Sequence, residues 1–272
     1  MYKRIENMFI KTKQEKRSAL GIFITAGDPD YKNSELILEA LAQNGADFIE
    51  LGMPFSDPMA DGPAIQASSL RAIKNKINLT KTLKLAKNFR KKFHNIPIVL
   101  MGYYNPIYIY GNKKFISESY KSGVDGLIIV DLLPEEDQEL YDIAKSGGID
   151  FIRLIAPTTT GDRLSFVLNK SSGFLYYVSI AGITGTKSAN IKSIEKSLSR
   201  IRKIKKLPIA TGFGIKNSKQ AREIGHLSDA IVIGSAIIEF IQKAVKTKTF
   251  DPDIMINNIG KFCRKISLAL KN

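Results

Sequence analysis

The sequence predicts an α/β protein built on a closed (β/α)8 barrel, with extra helices at both ends. Three observations lead to this fold class. Short apolar runs rich in Ile, Val and Phe occur eight times, most are followed by an amphipathic helical pattern, and no linker-like composition interrupts the series. Such runs are typical of parallel strands buried on both faces, and alternating strand and helix patterns indicate right-handed crossover units. A doubly wound open sheet is the alternative architecture.

The apolar runs follow one another at similar intervals along the chain. The first, ALGIFITA at 19–26, precedes a helical pattern at 31–43, and the second, ADFIEL at 46–51, precedes a loop and a helical pattern near 79–92. The other six predicted strands are PIVLMG (97–102), DGLIIV (125–130), DFIRLI (150–155), FLYYVS (174–179), PIAT (208–211) and DAIVIG (229–234). Together they form the TIM-barrel pattern of about 250 residues.

Two amphipathic segments, at 2–14 and 253–270, lie outside the eight units and are predicted to be the extra helices. Because no composition break divides the chain, residues 1–272 are interpreted as one TIM-barrel domain.

Composition limits the class of protein further. With 44% hydrophobic and 25% charged residues the chain can bury a full-sized core and is not a disordered sequence. No apolar stretch has the length of a signal peptide or a membrane helix, and a single cysteine excludes an internal disulfide, which together predict a cytoplasmic protein without a membrane association. The net charge of +15 is spread over helix faces, so no nucleic-acid partner is predicted.

Two glycine-containing turns, TGFGIKN and IGSAII, follow the seventh and eighth predicted strands, and each leads toward a helix. In barrels of this type these turns often bind phosphate, because glycine permits close approach of backbone N–H groups and a helix N-terminus attracts anions. The candidate phosphate-binding residues are therefore Gly212, Phe213, Gly214, Gly234 and Ser235. The alternative is that these glycines only make tight turns.

A long loop, SIAGITGTKSANIKS at 179–193, follows the sixth predicted strand, and its length and small residues are typical of an active-site lid. Gly185 in this loop could also reach the phosphate, whereas the alternative is an ordinary surface loop. Two isolated histidines and one cysteine do not form a metal site, so none is predicted.

Three carboxylates lie in the stretch FIELGMPFSDPMADGPAIQ, residues 48–66. Since side chains alternate along a strand, Glu50 shares a face with Phe48, and if this face points into the barrel Glu50 lies at the catalytic mouth. Burial there would raise its pKa and suit it to proton transfer. Asp61 lies on a loop that can fold over the same mouth, and Asp57 lies between two prolines on its outer part. A salt bridge and two turn caps are the alternative interpretation.

These residues resemble those of the tryptophan synthase alpha subunit family. The segment ELGMPFSDPMADGPAIQ fits the family signature L-G-x-P-F-S-D-P-x-A-D-G-P-x-I-Q at every specified position. Further similar segments are GITGTK in the long loop, ITAGDP at 24–29, YYNP at 103–106, GVDGLIIVDLLP at 123–134 and GFGI at 212–215. The resemblance extends along nearly the whole chain.

The resemblance implies a retro-aldol cleavage of indole-3-glycerol phosphate to indole and glyceraldehyde 3-phosphate. Glu50 would protonate C3 of the indole ring and could then remove the proton of the glycerol hydroxyl, while Asp61 would accept the indole N–H. The resemblance also implies an indole pocket lined by Phe23, Met101, Ile128 and Tyr176, with Tyr103 beside the catalytic groups and Thr184 on the lid above Asp61. No cofactor in this chain is implied.

A partner is implied in the same way. The family works with a beta subunit that carries pyridoxal phosphate, usually as an α2β2 heterotetramer, and passes indole to it for the synthesis of L-tryptophan. The residues expected to face this partner are Pro54, Asp57, Asn105 and Pro106.

Competing hypotheses are another phosphate-binding barrel, such as indole-glycerol-phosphate synthase or phosphoribosylanthranilate isomerase, and a non-catalytic basic barrel. Indole-glycerol-phosphate synthase would place a catalytic lysine in its early strands, where this sequence has Phe23 and Glu50.

Overall fold

The computed structural model describes residues 3–178, 191–212 and 214–271. Within this part of the chain the strands form one parallel sheet in the order β5-β4-β3-β2-β1-β9-β8-β7-β6. The strands are β1 Ala19–Thr25, β2 Phe48–Gly52, β3 Ile98–Gly102, β4 Gly126–Ile129, β5 Asp150–Phe151, β6 Arg153–Ile155, β7 Leu175–Val178, β8 Ile209–Gly212 and β9 Ala230–Ile233. All eight predicted runs are strands, and one of them is divided in two.

The division falls at Ile152, between β5 and β6. β5 pairs with β4, with Asp150 opposite Gly126, whereas β6 pairs with β7 on the other side. The two ends of the sheet are therefore consecutive in the chain, and this continuity closes the sheet into a barrel. Ile152 belongs to the apolar cluster inside the barrel, and its N–H donates to the Leu127 carbonyl at 2.9 Å. The closed barrel is confirmed and the open sheet is excluded.

Helices surround this barrel. They are α1 Arg4–Gln14, α2 Tyr31–Gln43, α3 Pro63–Lys74, α4 Leu79–Lys92, α5 Tyr104–Tyr110, α6 Asn112–Lys121, α7 Gln138–Ser146, α8 Gly161–Asn169, α9 Ile191–Ile204, α10 Ser218–Gly225, α11 Ser235–Val245 and α12 Pro252–Ala269. The predicted boundaries of α2 and α4 are confirmed, because Asp30 and Asn78 cap their first turns with side-chain oxygens. In the part of the chain described here, none of these helices is long and apolar enough to cross a membrane.

The core has two layers. Alternate strand residues such as Phe48 point into the barrel, and those between them, such as Ile49 and Leu51, pack against the helices outside. The first predicted extra helix, α1, closes the N-terminal end of the barrel, where Phe9 contacts Phe174 with ring centroids 5.8 Å apart. The apolar side of α1 is thus buried as a plug rather than against the outer layer. The second extra helix, α12, packs on α2, α10 and α11.

Candidate active site

Glu50 lies inside the barrel, in the middle of β2. Its neighbours in register are Phe23 on β1 and Val99 on β3, and its side chain is fully buried. Neither carboxyl oxygen has a hydrogen-bond partner among the described residues. Burial therefore raises the pKa of Glu50 to about 8, because the surroundings do not solvate the charged form. At neutral pH this carboxyl is mostly protonated and can act as an acid.

Asp61 lies above the mouth on the loop between β2 and α3. Its Oδ2 accepts a hydrogen bond from the Tyr103 hydroxyl at 3.1 Å, and that hydroxyl accepts one from the Ala60 N–H at 3.0 Å. Burial raises the pKa of Asp61, and the hydrogen bond from Tyr103 opposes this change. The Phe55 ring lies 5.2 Å from the Tyr103 ring, so Tyr103 supports the loop at several points. The structure thus brings Asp61 and Tyr103 together.

The helix that follows this loop, α3, was not predicted. The Pro-rich sequence there indicates a loop, but Pro63 occupies the first turn of a helix, where its missing N–H does no harm. Asp28 holds α3 in place, since its buried carboxylate accepts hydrogen bonds from Ser68 Oγ at 2.5 Å and from Arg71 at 2.7 Å. Asp28 belongs to the ITAGDP segment, yet its positioning role is visible only in three dimensions.

A cavity of about 10 Å³, room for roughly one water molecule, lies beside Asp61 and Tyr103. Two of the four predicted indole-pocket residues, Phe23 and Met101, line it together with Tyr103. The other two, Ile128 and Tyr176, lie in the apolar cluster inside the barrel with Phe23. These side chains have to move apart before the cavity can hold an indole ring. The remaining lining residues are Thr25, Gly52, Met53, Asp61, Ile65, Ser69, Gly102 and Val130.

Several of these lining residues were not predicted from the sequence. Thr25 lies two residues after Phe23 on β1 and therefore shares its inward face, a signal that strand periodicity contains. Its hydroxyl is buried and has no hydrogen-bond partner in the described structure. Ser69 lies on α3, and its position could not be predicted without this helix.

Glycines allow the aromatic side chains to approach the barrel wall. A Cβ at Gly212 would lie 2.3 Å from the Tyr176 hydroxyl, and a Cβ at Gly52 would lie 2.6 Å from the Phe23 ring. Gly234 also faces Phe23, and a Cβ at this position would lie 3.2 Å from the Phe23 Cβ. Gly212 and Gly234, predicted as phosphate-binding residues, thus also make room for the predicted indole pocket.

The two glycine-containing turns predicted to bind phosphate differ in how closely a helix follows them. α11 begins at Ser235 directly after Gly234, as predicted, and the first N–H groups of a helix have no partner within it. In the other turn the helix begins later, at Ser218, with Asn217 as its cap. Gly214 has a φ of +39°, the left-handed region that favours glycine, and lies at the surface. Phe213, Thr184 and Gly185 lie outside the described residues.

The residues predicted to face a partner lie together at the same end of the barrel. Asp57 and Asn105 are exposed, and Pro54 and Pro106 are half-buried. Large apolar side chains on the same two segments are also exposed, with 82% of Met59, 65% of Tyr108 and 77% of Ile109 accessible. The rim around the mouth therefore presents an apolar surface.

Fold and site together define a class of protein. A closed (β/α)8 barrel with a neutral buried carboxyl in its mouth, and a second carboxyl held over it by a tyrosine, is built for general acid–base catalysis on a small molecule. No group of three or more side chains suited to a metal ion is present among the described residues.

Comparisons with known proteins identify the family. A sequence profile of the tryptophan synthase alpha chain matches residues 9–266. The tryptophan synthase subunit alpha of Legionella pneumophila str. Paris is 34% identical, with a TM-score of 0.90 over 98% of both chains. A structure of Mycobacterium tuberculosis tryptophan synthase is 27% identical, with a TM-score of 0.88 over 99% of this chain and 98% of that one. The chain belongs to the tryptophan synthase alpha chain family.

The reaction of this family is the cleavage of indole-3-glycerol phosphate to indole and glyceraldehyde 3-phosphate, a lyase step of tryptophan biosynthesis. The resemblance found in the sequence is thereby confirmed. The competing hypotheses of another phosphate-binding barrel and of a basic barrel without activity are excluded.

Proposed function

We propose that Glu50 carries out the proton transfers of this reaction and that Asp61 binds the indole nitrogen. The observation that carries the proposal is the complete burial of the Glu50 carboxyl inside the barrel, where no described residue bonds to it and its pKa is raised to about 8. A neutral carboxyl is able to donate a proton at neutral pH, and after donation it is a base in an apolar site.

The proposed steps follow from this arrangement. Glu50 transfers its proton to C3 of the indole ring, and the ring becomes a cation with an electron sink at nitrogen. Asp61 accepts a hydrogen bond from the ring N–H and stabilises this positive charge. The bond between C3 and the glycerol chain then breaks, its electron pair restores the aromatic ring, and Glu50 regains a proton from the adjacent hydroxyl as the aldehyde forms. Protons and electrons balance, and no cofactor of this chain takes part.

The substrate would be oriented by its two ends. Phe23, Met101, Tyr103, Ile128 and Tyr176 would enclose the indole ring. The phosphate would lie against the first turn of α11, with Gly234 and Ser235, and against the turn containing Gly212, Phe213 and Gly214. Support comes from the helix N-terminus at Ser235, which presents unbonded N–H groups and a partial positive charge. Thr184 and Gly185 would close the site from the lid.

The partner is proposed to be a tryptophan synthase beta subunit in an α2β2 assembly. In the family the pyridoxal phosphate belongs to that subunit, and the alpha chain has no cofactor of its own. Pro54, Asp57, Asn105 and Pro106 would contact it. The exposed Met59, Tyr108 and Ile109 support this proposal, because contiguous apolar surface often marks a protein interface. We also propose a cytoplasmic location, which cell fractionation would test.

The test of catalysis is indole release from indole-3-glycerol phosphate by the purified protein, with and without a beta subunit. We expect slow release alone and faster release with the partner. Glu50→Gln should fold and lose about 10²–10⁴-fold or more in kcat, the usual effect of removing a general acid–base group. Glu195→Gln, on the exposed surface of α9, is the matched control and should keep full activity. Near-normal turnover of Glu50→Gln would overturn the assignment.

The partner surface has its own test. Ile109→Asp puts a charge into the proposed interface and should weaken beta-subunit binding, measured by calorimetry, without lowering indole release by the isolated chain. Leu268→Asp places the same charge on α12, where 50% of the side chain is exposed, and should leave binding unchanged. Equal binding of both variants would place the interface elsewhere.

A further inference from the structure

A second and much larger cavity lies at the end of the barrel opposite the mouth. Its volume is about 490 Å³, and it forms where the C-terminal ends of α1, α10 and α12 converge. Five of the side chains that line it are permanently cationic, Lys13, Lys16, Arg17, Arg222 and Lys271, whereas Asp229 is the single acidic one. The reaction at the mouth uses none of these residues.

The charges of this cavity are unbalanced. Arg17 binds two carboxylates, Asp47 through hydrogen bonds of 2.6 and 2.7 Å and Glu15 through one of 2.6 Å. Asp229 accepts from the Ile209 N–H at 2.9 Å and from Arg202 at 3.2 Å. The other four cations, Lys13, Lys16, Arg222 and Lys271, form no ion pair with any described residue. Because Arg17 faces two carboxylates, and Glu15 also interacts with Lys271, the described side chains around this cavity have a surplus of about three positive charges.

The helix ends account for only part of this charge. Each helix C-terminus carries about half a negative unit charge, so the three helix ends that meet here carry fewer than two negative charges in total. Lysine and arginine in the last helical turn commonly neutralise such a helix end, and one or two cations would be sufficient to neutralise all three. An excess of between one and two positive charges remains, and the exposed side chains that provide it surround one concave surface.

We propose that this cavity binds a small compound with two or three phosphate groups. Such a compound carries enough negative charge for the four cations and fits a volume of this size. Because helix C-termini and not N-termini face the cavity, backbone N–H groups do not cradle the anion as they do at the mouth. Recognition then depends on side-chain charge, so binding weakens steeply with salt.

The chain offers a matched pair of variants for the test. Lys16 follows the end of α1 with a φ of +54°, and its N–H donates to the Lys13 carbonyl. Lys76 follows the end of α3 with a nearly equal φ of +57°, and its N–H donates to the Ile73 carbonyl. Lys16→Gly and Lys76→Gly therefore remove the same charge from the same backbone conformation, which glycine adopts without strain. Of these two lysines, only Lys16 lines the cavity. Lys76 lies at the mouth end of the barrel, where its neighbour Asn75 donates a hydrogen bond to the Pro29 carbonyl.

The experiment is calorimetric titration of the full chain with inorganic tripolyphosphate, with saturating glycerol 3-phosphate present to compete for any phosphate site at the mouth. We expect one bound tripolyphosphate, a dissociation constant about fivefold weaker in Lys16→Gly, and no change in Lys76→Gly. Lys271→Gln should weaken binding to a similar degree. Indole release should be unaltered in all three variants.

Two results would overturn the proposal. One is the lack of saturable binding up to millimolar tripolyphosphate at low ionic strength. The other is equal weakening in Lys16→Gly and Lys76→Gly, which would show a response to total charge rather than to this cavity. Since indole release is measured separately, the outcome is independent of the roles proposed for Glu50 and Asp61.

Discussion

At the scale of the residue, Glu50 and Asp61 show how burial turns one functional group into two different reagents. Glu50 is fully buried and has no hydrogen-bond partner among the residues that the structure describes, and its pKa rises to about 8. Burial raises the pKa of Asp61 as well, but Asp61 is less buried, and the hydrogen bond that it accepts from Tyr103 opposes this change. The two environments separate the acid from the acceptor, as the proposed mechanism requires.

The raised pKa of Glu50 predicts how stability depends on pH. Between the ordinary pKa of about 4.5 and the folded value of about 8, the unfolded chain has lost this proton while the folded chain keeps it, so stability falls as pH rises. Glu50→Gln removes this effect. We therefore expect the unfolding free energy of the variant, relative to that of the parent, to increase by about 1.4 kcal/mol for each pH unit across this window.

Urea denaturation of both proteins at several pH values measures this difference. Glu195→Gln is the control, because Glu195 is exposed on α9. A difference between Glu50→Gln and the parent that stays constant from pH 5 to pH 8 would contradict the unusual pKa.

The same group predicts the pH dependence of catalysis. Because protonated Glu50 is the acid in the free enzyme, kcat/KM for indole release should decline tenfold per pH unit above about pH 8. A profile that stays flat to pH 9.5, measured under conditions where the protein remains folded, would exclude Glu50 as the group that titrates.

Substitutions at Tyr103 and Asp61 test which of the two residues positions the other and which takes part in the chemistry. Tyr103→Phe removes the hydroxyl that bonds to Asp61 and Ala60 but keeps the ring packed on Phe55, so we expect about a tenfold loss in kcat/KM. Asp61→Asn keeps the shape and removes the charge, and the loss in kcat should be far larger. Steady-state kinetics on both variants tests this order, and a change in KM alone for Asp61→Asn would make it a binding residue.

At the scale of the element, the position of α3 determines where Asp61 lies. Arg71 on α3 bonds to the buried Asp28, so Arg71→Met would leave that carboxylate with Ser68 as its remaining side-chain partner. We expect a loss of about 3 kcal/mol in unfolding free energy and a lower kcat/KM, since the loop before α3 loses its anchor. Lys74→Met, one turn later on the same helix and exposed, is the control that should change neither quantity.

The elements also show where sequence patterns are sufficient. α2 and α4 begin and end where the pattern predicts, because local caps at Asp30 and Asn78 agree with the apolar periodicity. The run 150–155 has the composition of one strand, and its division at Ile152 comes from the need to pair with β4 on one side and β7 on the other. Pairing of this kind depends on partners distant in sequence, so the local pattern does not contain it.

At the scale of the whole molecule, the two ends of the barrel have opposite character. The mouth has apolar residues on its rim and carboxylates inside, whereas the other end is closed by α1 and surrounded by a surplus of lysine and arginine side chains. Lysine is spread evenly along the sequence, so the sequence gives no sign that several cations meet at this end of the barrel. Part of the net charge of +15 is therefore brought together at one place by folding.

We propose that the chain unfolds as a single unit. The sheet is continuous, and α1 and α12 pack against it and its helices, so the apolar clusters on both of its faces share the same strands. Calorimetry should give one transition, with a calorimetric enthalpy equal to the van't Hoff enthalpy. Two resolved transitions would instead indicate separate folding units within the barrel.

The sequence by itself determined the barrel, the strand positions and the inward face of β2, because apolar periodicity and strand alternation are local properties of the chain. The signature around Glu50 and Asp61 also identified the family before any contact was known. Only the tertiary structure decided that Glu50 is buried with no hydrogen-bond partner in the described part of the chain, that Tyr103 and Asp28 position the loop and α3, and that four cations meet at one cavity. These properties depend on which distant residues come together and on how completely they exclude water, and neither quantity is encoded in a local pattern.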